Sequence, residues 1–554
     1  MHDQRGGDRR WWWLISAAWL LQAGLRLWLG SHQDVPAANP DETGYLFAAR
    51  VLGGGADADL SGATFYQIGY PLLISPAFWF SDDPGTVYHL VIGINSLISA
   101  LIVPLAYVAG LRLALSRATA FWVAQAAALL PASIFFTQFV LTDAILPVVV
   151  LAWLLAIHSW LDRDARGEGA ARYAVAASLS AAYAYATHSR GLVILIAHAA
   201  LLGFVFAFRW ASRRPTLIAG GVLLGAVAAA YAANLWLQGH TYPDGIKELG
   251  NWLSERLTSP DGWAWTISGG LGQIWYLTVA TWGLGGVALA GAAVALRRAG
   301  RPERAVAGVT LLTVTGIAFV TIAALPDEHR VGNYVYGRYL ACLAPALLVA
   351  GFALLARRRL VWASAGLLLG TALIAQIHAG TRLTRYIFVP FDFPETSFLT
   401  WDWHGFKLWP ATAVALLILG ATALLARRFT AGAVALLCAV GLGADIMATD
   451  RISDVMTEEM HVSARLDALR PDDKVAVEFD VPWKIRLPQT FAIPSELGRF
   501  TLAKGEQPPP GTTLVLTAWP RDVPADAAWP GRPSGWHPVE ARRTTLGDWV
   551  AWRR

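Results

Sequence analysis

The sequence predicts an all-α polytopic membrane protein with about thirteen transmembrane helices, followed by a small C-terminal α/β or β domain outside the cytoplasm. The 554-residue chain is 55% hydrophobic and 15% charged, with a mean hydropathy of +0.44. Its apolar residues form long runs rather than an amphipathic alternation. Short arginine clusters separate these runs, as is typical of the cytoplasmic loops of membrane proteins. We therefore expect a multi-pass protein of the cell membrane.

The first apolar run, Trp11 to Leu29, is long enough to cross a bilayer and follows several arginines. We expect an uncleaved first span with the N-terminus in the cytoplasm. Residues 31–86 then form the first outer loop, and the second span covers 87–111. The remaining spans are predicted at 118–137, 143–161, 171–188, 191–208, 216–237, 271–296, 305–325, 339–356, 360–379, 409–426 and 430–448.

The arginines agree with this arrangement, because every loop assigned to the cytoplasm is basic. An odd number of spans puts the C-terminus outside, so the chain divides into a transmembrane domain, 1–448, and an extracytoplasmic domain, 449–554. In the latter, runs at 474–479, 512–518 and 548–552 lie between proline-rich turns and predict strands. Since membrane topology accounts for the arginine clusters, we expect no nucleic-acid partner.

The first outer loop contains Asn39-Pro40-Asp41-Glu42, which supports two interpretations. Asparagine, proline and acidic residues in this order are typical of a helix start. Two adjacent carboxylates just after a membrane span are also costly unless a cation or a reacting hydroxyl group meets them. The interpretations are compatible, because a helix start holds a carboxylate rigidly. Asp41 and Glu42 are therefore our candidates for the chemistry.

Outer arginines are informative because the positive-inside rule does not account for them. Arg190, Arg330 and Arg338 lie near outer ends of predicted spans, where each could reach to the interface or pair with a local acid. Several guanidinium groups at one depth instead indicate an anion, and a lipid phosphate fits, because guanidinium binds phosphate by charge-assisted hydrogen bonds. Asp143 adds a second outer acid, at a position that is also an ordinary helix start.

Together these residues resemble the GT-C superfamily of polyprenyl-phosphate-dependent glycosyltransferases, which contains protein O-mannosyltransferases and lipid A aminoarabinose transferases. The resemblance covers about residues 1–360. In that superfamily a basic residue often follows the acidic pair closely, whereas here the next one is Arg50. The features that carry the resemblance are Asp41-Glu42, the aromatic segment Phe65 to Pro71, Asp143, Arg190-Gly191, and Arg338-Tyr339 followed by Pro345.

The resemblance implies a transferase that moves a sugar from a polyprenyl-phosphate donor to a glycan, lipid or protein acceptor among the membrane lipids. It assigns the general base to Asp41, with Glu42 as the adjacent candidate, and the donor phosphate to the outer arginines. Asp143 would meet the acceptor or a metal, since some relatives use a divalent ion, although no ligand spacing here requires one. Further residues expected to line the site are Tyr45, Tyr66, Tyr70, His188 and Tyr339.

Two other classes of function stay open. A secondary transporter would also bury charges among many spans, but it predicts ionisable groups near the bilayer midplane and paired broken helices. A ligase or polymerase that acts on lipid-linked glycan chains would use outer arginines as well. The early acidic loop favours the monosaccharide transferase.

Overall fold

The computed structural model describes residues 3–247, 250–399, 405–493 and 497–554. Most of the described chain is helical, and a small sheet forms its C-terminal part. The helices are α1 (Asp3–Leu29), α2 (Asp41–Leu52), α3 (Gly69–Ile74), α4 (Pro84–Ser99), α5 (Ile102–Arg112), α6 (Arg117–Ala128), α7 (Pro131–Phe135), α8 (Leu146–Ala165), α9 (Ala171–Thr187), α10 (Gly191–Ala207), α11 (Arg213–Thr241), α12 (Gly250–Thr258), α13 (Pro260–Ala280), α14 (Leu284–Arg298), α15 (Arg301–Ala324), α16 (Ala344–Leu354), α17 (Arg358–Ala379), α18 (Arg382–Arg385), α19 (Leu408–Arg428), α20 (Thr430–Ala448), α21 (Asp454–Ala464) and α22 (Trp483–Ala492).

The prediction of a helical multi-pass membrane protein is confirmed. Within the described residues, seven helices are long and apolar enough to cross a bilayer, or up to nine if two sharply bent pairs each count as one span. The predicted number of thirteen is larger because it also counts shorter apolar helices such as α10, which has 17 residues, and the tryptophan-rich α1.

The predicted span at 271–296 is not one continuous helix. The chain there forms two helices, α13 and α14, which are bent by 115° relative to each other. Gly283 lies between them in the left-handed region (φ 83°), a conformation that glycine adopts without steric strain. Hydropathy alone does not detect such a turn, because the residues on both sides of Gly283 are as apolar as a continuous span.

The C-terminal sheet is mixed, with strand order β2-β1-β3-β5-β4. Its central strands β1 and β3 are parallel, and β5 runs antiparallel to both β3 and β4. The three predicted strands are confirmed as β1, β3 and β5, whereas β2 is very short and β4 is mostly exposed, so neither carries the apolar pattern of a strand. The strands are β1 (Val475–Glu478), β2 (Gly498–Phe500), β3 (Leu514–Ala518), β4 (His537–Arg543) and β5 (Asp548–Arg553).

The first outer loop lies between the helical bundle and the C-terminal part. Its aromatic residues share a buried cluster with Phe135 and Phe139 of the segment between α6 and α8. On the other side, Asp59 accepts a hydrogen bond from Arg499 (Oδ2 to Nη1, 2.6 Å), and Asp34 lies 2.6 Å from the ring of His461. The helix α20 continues through a π-helical turn into α21 past residue 449, and α21 carries His461. The segment around α2 is thus held from both sides.

Candidate functional site

The acids and outer arginines of the sequence meet at one end of the helical bundle. Asp143 lies just before α8, and Arg190 lies just before α10. Arg163, in the last turn of α8, and Arg209, just beyond α10, lie at the opposite ends of the same two helices. Because α8 has 20 residues and rises about 1.5 Å per residue, about 30 Å separates its two ends. The arginine-rich loops and the candidate site therefore lie at opposite ends.

The helix α2 begins at Asp41, so the predicted helix start is confirmed. Asn39 does not cap it, because its side-chain Nδ2 donates to the carbonyl of Pro36 (2.8 Å) and the helix has no side-chain cap. The acids Asp41 and Glu42 occupy its first turn, where negative charge is favourable beside the helix dipole. As adjacent residues on a helix they point in different directions, and their surroundings differ accordingly.

Glu42 is completely buried and fully hydrogen-bonded. Its Oε1 accepts from the Tyr88 hydroxyl (2.5 Å) and from the backbone N–H of Val140 (2.7 Å). Its Oε2 accepts from the backbone N–H groups of Ala37 (2.7 Å) and Ala38 (2.6 Å). Each carboxylate oxygen has two partners, which uses the lone pairs of both. Glu42 thus ties the first outer loop to α4 and to the loop before α8.

Asp41 has an exposed side and a cationic side. Its side chain is 36% exposed, and its Oδ2 lies 3.0 Å from Nη1 of Arg338. The Tyr66 hydroxyl lies 3.4 Å from its other oxygen. Gly44 permits this arrangement, because a Cβ atom there would lie 2.2 Å from Cε2 of Tyr66. The short stretch Thr43-Gly44-Tyr45, which departs from the superfamily pattern, therefore gives the Tyr66 ring its place on α2.

Asp143 joins the two arginines that lie deepest in the site. Its Oδ1 is 2.8 Å from Nη2 of Arg190, and its Oδ2 is 3.0 Å from Nε of Arg338. Burial by itself would raise the pKa of Asp143, but the charges of Arg190 and Arg338 lower it to about 2. Asp143 is therefore an ionised, buried partner of two guanidinium groups, and Arg338 connects it to Asp41.

Arg190 is engaged on all sides. Besides Asp143, it donates from Nη1 to the carbonyl oxygens of Arg338 (3.0 Å) and Tyr339 (3.2 Å), and its guanidinium lies 5.3 Å from the Tyr339 ring centroid. Its Nε lies 3.4 Å from Nδ1 of His188, whose pKa is lowered by burial and by the charge of Arg190, so that the ring is a neutral acceptor. Gly191 lets this turn approach α9, because a Cβ atom there would lie 1.9 Å from a backbone carbonyl oxygen.

Arg330 pairs with Glu328 (Nη2 to Oε2, 2.6 Å) and lies near a carboxylate that the sequence analysis missed, Asp392. Asp392 is 3% exposed, and within the described residues its Oδ2 has no hydrogen-bond partner. Burial raises its pKa to about 6, although Arg330 and Arg338 oppose the shift. The signal in the sequence was an acid between two phenylalanines, Phe391-Asp392-Phe393. A loop sequence has no periodic pattern that would show that these residues are buried.

The predicted lining tyrosines fall into two groups. Tyr45 contacts Tyr66 and Tyr70 edge-on, with ring centroids 4.9 and 5.2 Å apart. The Tyr70 hydroxyl donates to Asn95 (3.0 Å), so Tyr70 lies behind Tyr45 and away from Asp41. Tyr339 belongs to the arginine side of the site, and its ring lies at a tilt against that of Tyr336, with centroids 4.6 Å apart. One group of tyrosines thus lies beside α2, and the other lies in the segment before α16.

The three carboxylates considered for a divalent ion do not converge on one point. Glu42 has both oxygens occupied by N–H and O–H donors, and Asp143 has both oxygens occupied by guanidinium groups. Across the described ranges, no group of three or more His, Cys, Asp or Glu side chains has an arrangement suited to a metal ion. These residues therefore do not fit a divalent ion.

The described chain is a polytopic helical membrane protein whose acids and arginines meet at one end of its helical bundle. Comparison with solved structures shows the same fold. The chain is similar to ArnT from Cupriavidus metallidurans bound to undecaprenyl phosphate, with 14% identity, a TM-score of 0.54 and 98% of each chain covered. The apo state of that protein matches with 13% identity, a TM-score of 0.52 and the same coverage.

An archaeal oligosaccharyltransferase, AglB from Archaeoglobus fulgidus, matches at 11% identity and a TM-score of 0.43, over 87% of this chain and 64% of that chain. No family model matches the sequence. No curated protein matches it significantly either.

Proposed function

We propose that this protein is a membrane glycosyltransferase that moves a sugar from a polyprenyl-phosphate donor to an acceptor hydroxyl on the extracytoplasmic side, with Asp41 as the general base. The observation that carries the proposal is the connected series Asp41–Arg338–Asp143–Arg190. It brings a partly exposed carboxylate within 3.0 Å of a guanidinium that is itself held by a buried acid. Asp41, a base for the acceptor hydroxyl, thus lies beside Arg338, a cation for the donor phosphate.

The chemistry needs both groups. The Asp41 carboxylate takes the acceptor hydroxyl proton as the oxygen bonds to the anomeric carbon, and the bond from that carbon to the phosphate oxygen breaks. The leaving lipid phosphate is already anionic, so it requires positive charge rather than a proton. Arg338 supplies that charge beside Asp41. Attack by the acceptor oxygen on one face, with departure of the phosphate from the opposite face, suits inversion at the anomeric carbon.

The three arginines have different roles. Arg338 and Arg330 bind the donor phosphate, and Arg338 turns part of its guanidinium from Asp41 to the phosphate as the donor enters. Arg190 is already bonded to Asp143, to two backbone carbonyls and to His188. We assign it to holding the backbone of Arg338 in place and to adding positive charge from behind.

The remaining acids position the reacting groups. Asp143 neutralises and aligns two arginines, which suits a positioning role better than direct contact with acceptor or metal. Glu42 fixes the first turn of α2, and with it Asp41, through four hydrogen bonds. Asp392, buried beside Arg330 and Arg338, balances the charge of these cations while the site is empty.

Two further considerations support the proposal over a transporter. The structurally similar ArnT was solved with undecaprenyl phosphate bound, and this chain matches it over 98% of its length. The charged series of this protein also lies at the end of the bundle, just before α8 and α10, whereas a transporter is expected to hold its charged groups near the bilayer midplane.

The test is donor binding and turnover. The purified protein in bilayers is incubated with a panel of polyprenyl-phosphate sugars, and bound donor and released sugar are measured. Arg338→Gln is expected to weaken donor binding by about tenfold to a hundredfold, since a charge-assisted hydrogen bond contributes roughly 1.5–3 kcal/mol. Arg385→Gln, which changes an exposed arginine of the same outer region, is the control. No binding or hydrolysis of any polyprenyl-phosphate sugar would overturn the proposal.

A further inference from the structure

A cavity of about 650 Å³ lies between the end of α14 and the start of α17. This end of α17 is far from the candidate site: the helix has 22 residues, about 33 Å, and its other end packs in one cluster with Tyr334 and Val335, just before Arg338. The arginines that line the cavity are Arg297, Arg298, Arg357, Arg358 and Arg359, and its apolar lining is Ala293, Val294 and Leu360.

The charge in this cavity is unbalanced. Its lining contains five guanidinium groups and no carboxylate. The sequence has no acidic residue between Glu328 and Asp392, and the first acid after α14, Glu303, lies 3.6 Å from the ring of His158. Among the contacts of the described residues, none of the five side chains forms an ion pair or a hydrogen bond. Five like charges around one volume repel each other unless an anion enters.

The positive-inside rule explains why arginines lie at this end of the bundle, but it does not explain why five of them line one cavity. Some other arginines at this end have partners within the protein. Arg163 and Arg166 pair with acids at the end of α8 or just after it, and Arg301 and Arg304 donate to backbone carbonyl oxygens at 3.3 and 2.9 Å. The five arginines that line the cavity are exposed and have no such partner among the described residues.

The start of α17 adds to the unbalanced positive charge of the cavity. A helix N-terminus carries partial positive charge and unpaired N–H groups, and acidic residues usually offset both. Here the helix begins with Arg358 and Arg359, it has no side-chain cap, and its first turn contains no acid. Helix end and guanidinium groups therefore favour the same kind of ligand, an anion with several oxygen acceptors.

We propose that this cavity is a binding site for a phosphate group, separate from the transfer site and independent of it. Arg297 and Arg298 approach the phosphate from α14, and Arg357 to Arg359 approach it from α17. The same chemistry is offered by the headgroup of an anionic phospholipid and by soluble phosphate. The apolar lining of Ala293, Val294 and Leu360 suits the glycerol end of a lipid.

Lipid binding is measured by native mass spectrometry of the purified full chain, stripped of lipid in detergent and titrated with phosphatidylglycerol or phosphatidylcholine. Arg297→Gln/Arg358→Gln is the cavity variant. Arg427→Gln/Arg428→Gln is the control, because it removes the same charge at the end of α19, outside the cavity. We expect phosphatidylglycerol affinity to fall by about tenfold or more in the cavity variant alone, and phosphatidylcholine binding to stay unchanged.

A second arm identifies the source of the phosphate. Inorganic phosphate is added to the lipid-free protein, and the shift in melting temperature is recorded. If inorganic phosphate shifts the melting temperature of the parent and the control but not that of the cavity variant, and the cavity variant keeps its affinity for phosphatidylglycerol, the ligand is soluble phosphate. That result also supports the proposal. Arg297→Lys/Arg358→Lys should retain part of either effect. Equal responses of cavity variant and control to both probes would overturn the proposal.

Discussion

Asp143 and Arg338 form an ion pair, with Oδ2 and Nε 3.0 Å apart, although 195 residues separate them in the chain. Arg190 holds the other oxygen of the same carboxylate at 2.8 Å. One buried acid therefore fixes two arginines, and Arg338 extends from this pair to Asp41. The position of the cation beside the proposed base is set from within the protein, before any substrate binds.

Replacing Asp143 tests this organisation. Asp143→Asn keeps the shape of the side chain but leaves two buried guanidinium groups without their counter-charge, so we expect a loss of stability of about 3–5 kcal/mol. Asp59→Asn removes a partner of Arg499 from a largely exposed ion pair and should change stability by less than about 1 kcal/mol. Thermal unfolding of the purified proteins measures both. Similar small losses in the two variants would contradict a structural role for Asp143.

Gly44→Ala tests the placement of Tyr66. The added methyl group would lie 2.2 Å from Cε2 of the Tyr66 ring, so the ring must move away from Asp41. We expect a slower transfer rate with little change in donor affinity, because Tyr66 lies near Oδ1 of Asp41, whereas Arg338 pairs with Oδ2. Gly54→Ala, at an open position after α2, is not a suitable control because its φ of 84° adds strain. Gly93→Ala, with open space around it, is the matched control.

Asp392 gives the protein a defined pH dependence. Its pKa is raised from the usual 3.8 to about 6, chiefly by burial, so the folded protein binds the proton more tightly than the unfolded chain. Stability should therefore fall as pH rises from about 4 to 6, by about 3 kcal/mol in total from this group. Asp392→Asn should remove this contribution to the pH dependence of stability.

Glu395 contributes a slope of the same sign, since burial raises its pKa to about 7. Melting temperatures from pH 4 to 8 for the parent, Asp392→Asn and Glu395→Gln separate the two contributions. If stability depends on pH in the same way in Asp392→Asn and in the parent, Asp392 is not a buried acid with a raised pKa.

Membrane orientation is tested with reporter fusions. The arginine-rich ends of α8 and α10 lie opposite the candidate site, so one compartment must hold the arginine loops and the other must hold Asp41. Reporters fused after Arg428 and after Arg554 should report opposite sides of the membrane, with Arg554 outside. Cytoplasmic reporter activity at Arg554 would remove the proposed extracytoplasmic site.

The sequence predicted the parts of this site that are local. The helix start at Asp41 follows from a few neighbouring residues, and the membrane helices follow from apolar runs. Which of the two acids is accessible could not be predicted, because the partners of Glu42 on α4 and before α8 are 46 and 98 residues away. The sequence does not show whether a carboxylate is exposed to solvent or accepts four hydrogen bonds within the protein.

Other features escaped prediction for related reasons. Arg190 carries the same charge as Arg338, and only the tertiary contacts show that backbone carbonyls and Asp143 occupy it. Asp392 enters the site from a loop after α18, and loops carry no periodic signal that reports burial. The bend at Gly283 depends on one backbone angle inside an apolar stretch, where hydropathy does not change.

The most direct test of the account is the transfer rate of Asp41→Asn, measured beside Glu42→Gln and the exposed-loop control Asp57→Asn, with donor binding checked in each. Asparagine keeps the size of the side chain and is tolerated at a helix start, but an amide cannot take the hydroxyl proton. We expect Asp41→Asn to fold and bind donor while losing about a hundredfold or more in rate. Glu42→Gln should instead lose stability. An Asp41→Asn protein that turns over at the parental rate would contradict the assignment of Asp41 as the base.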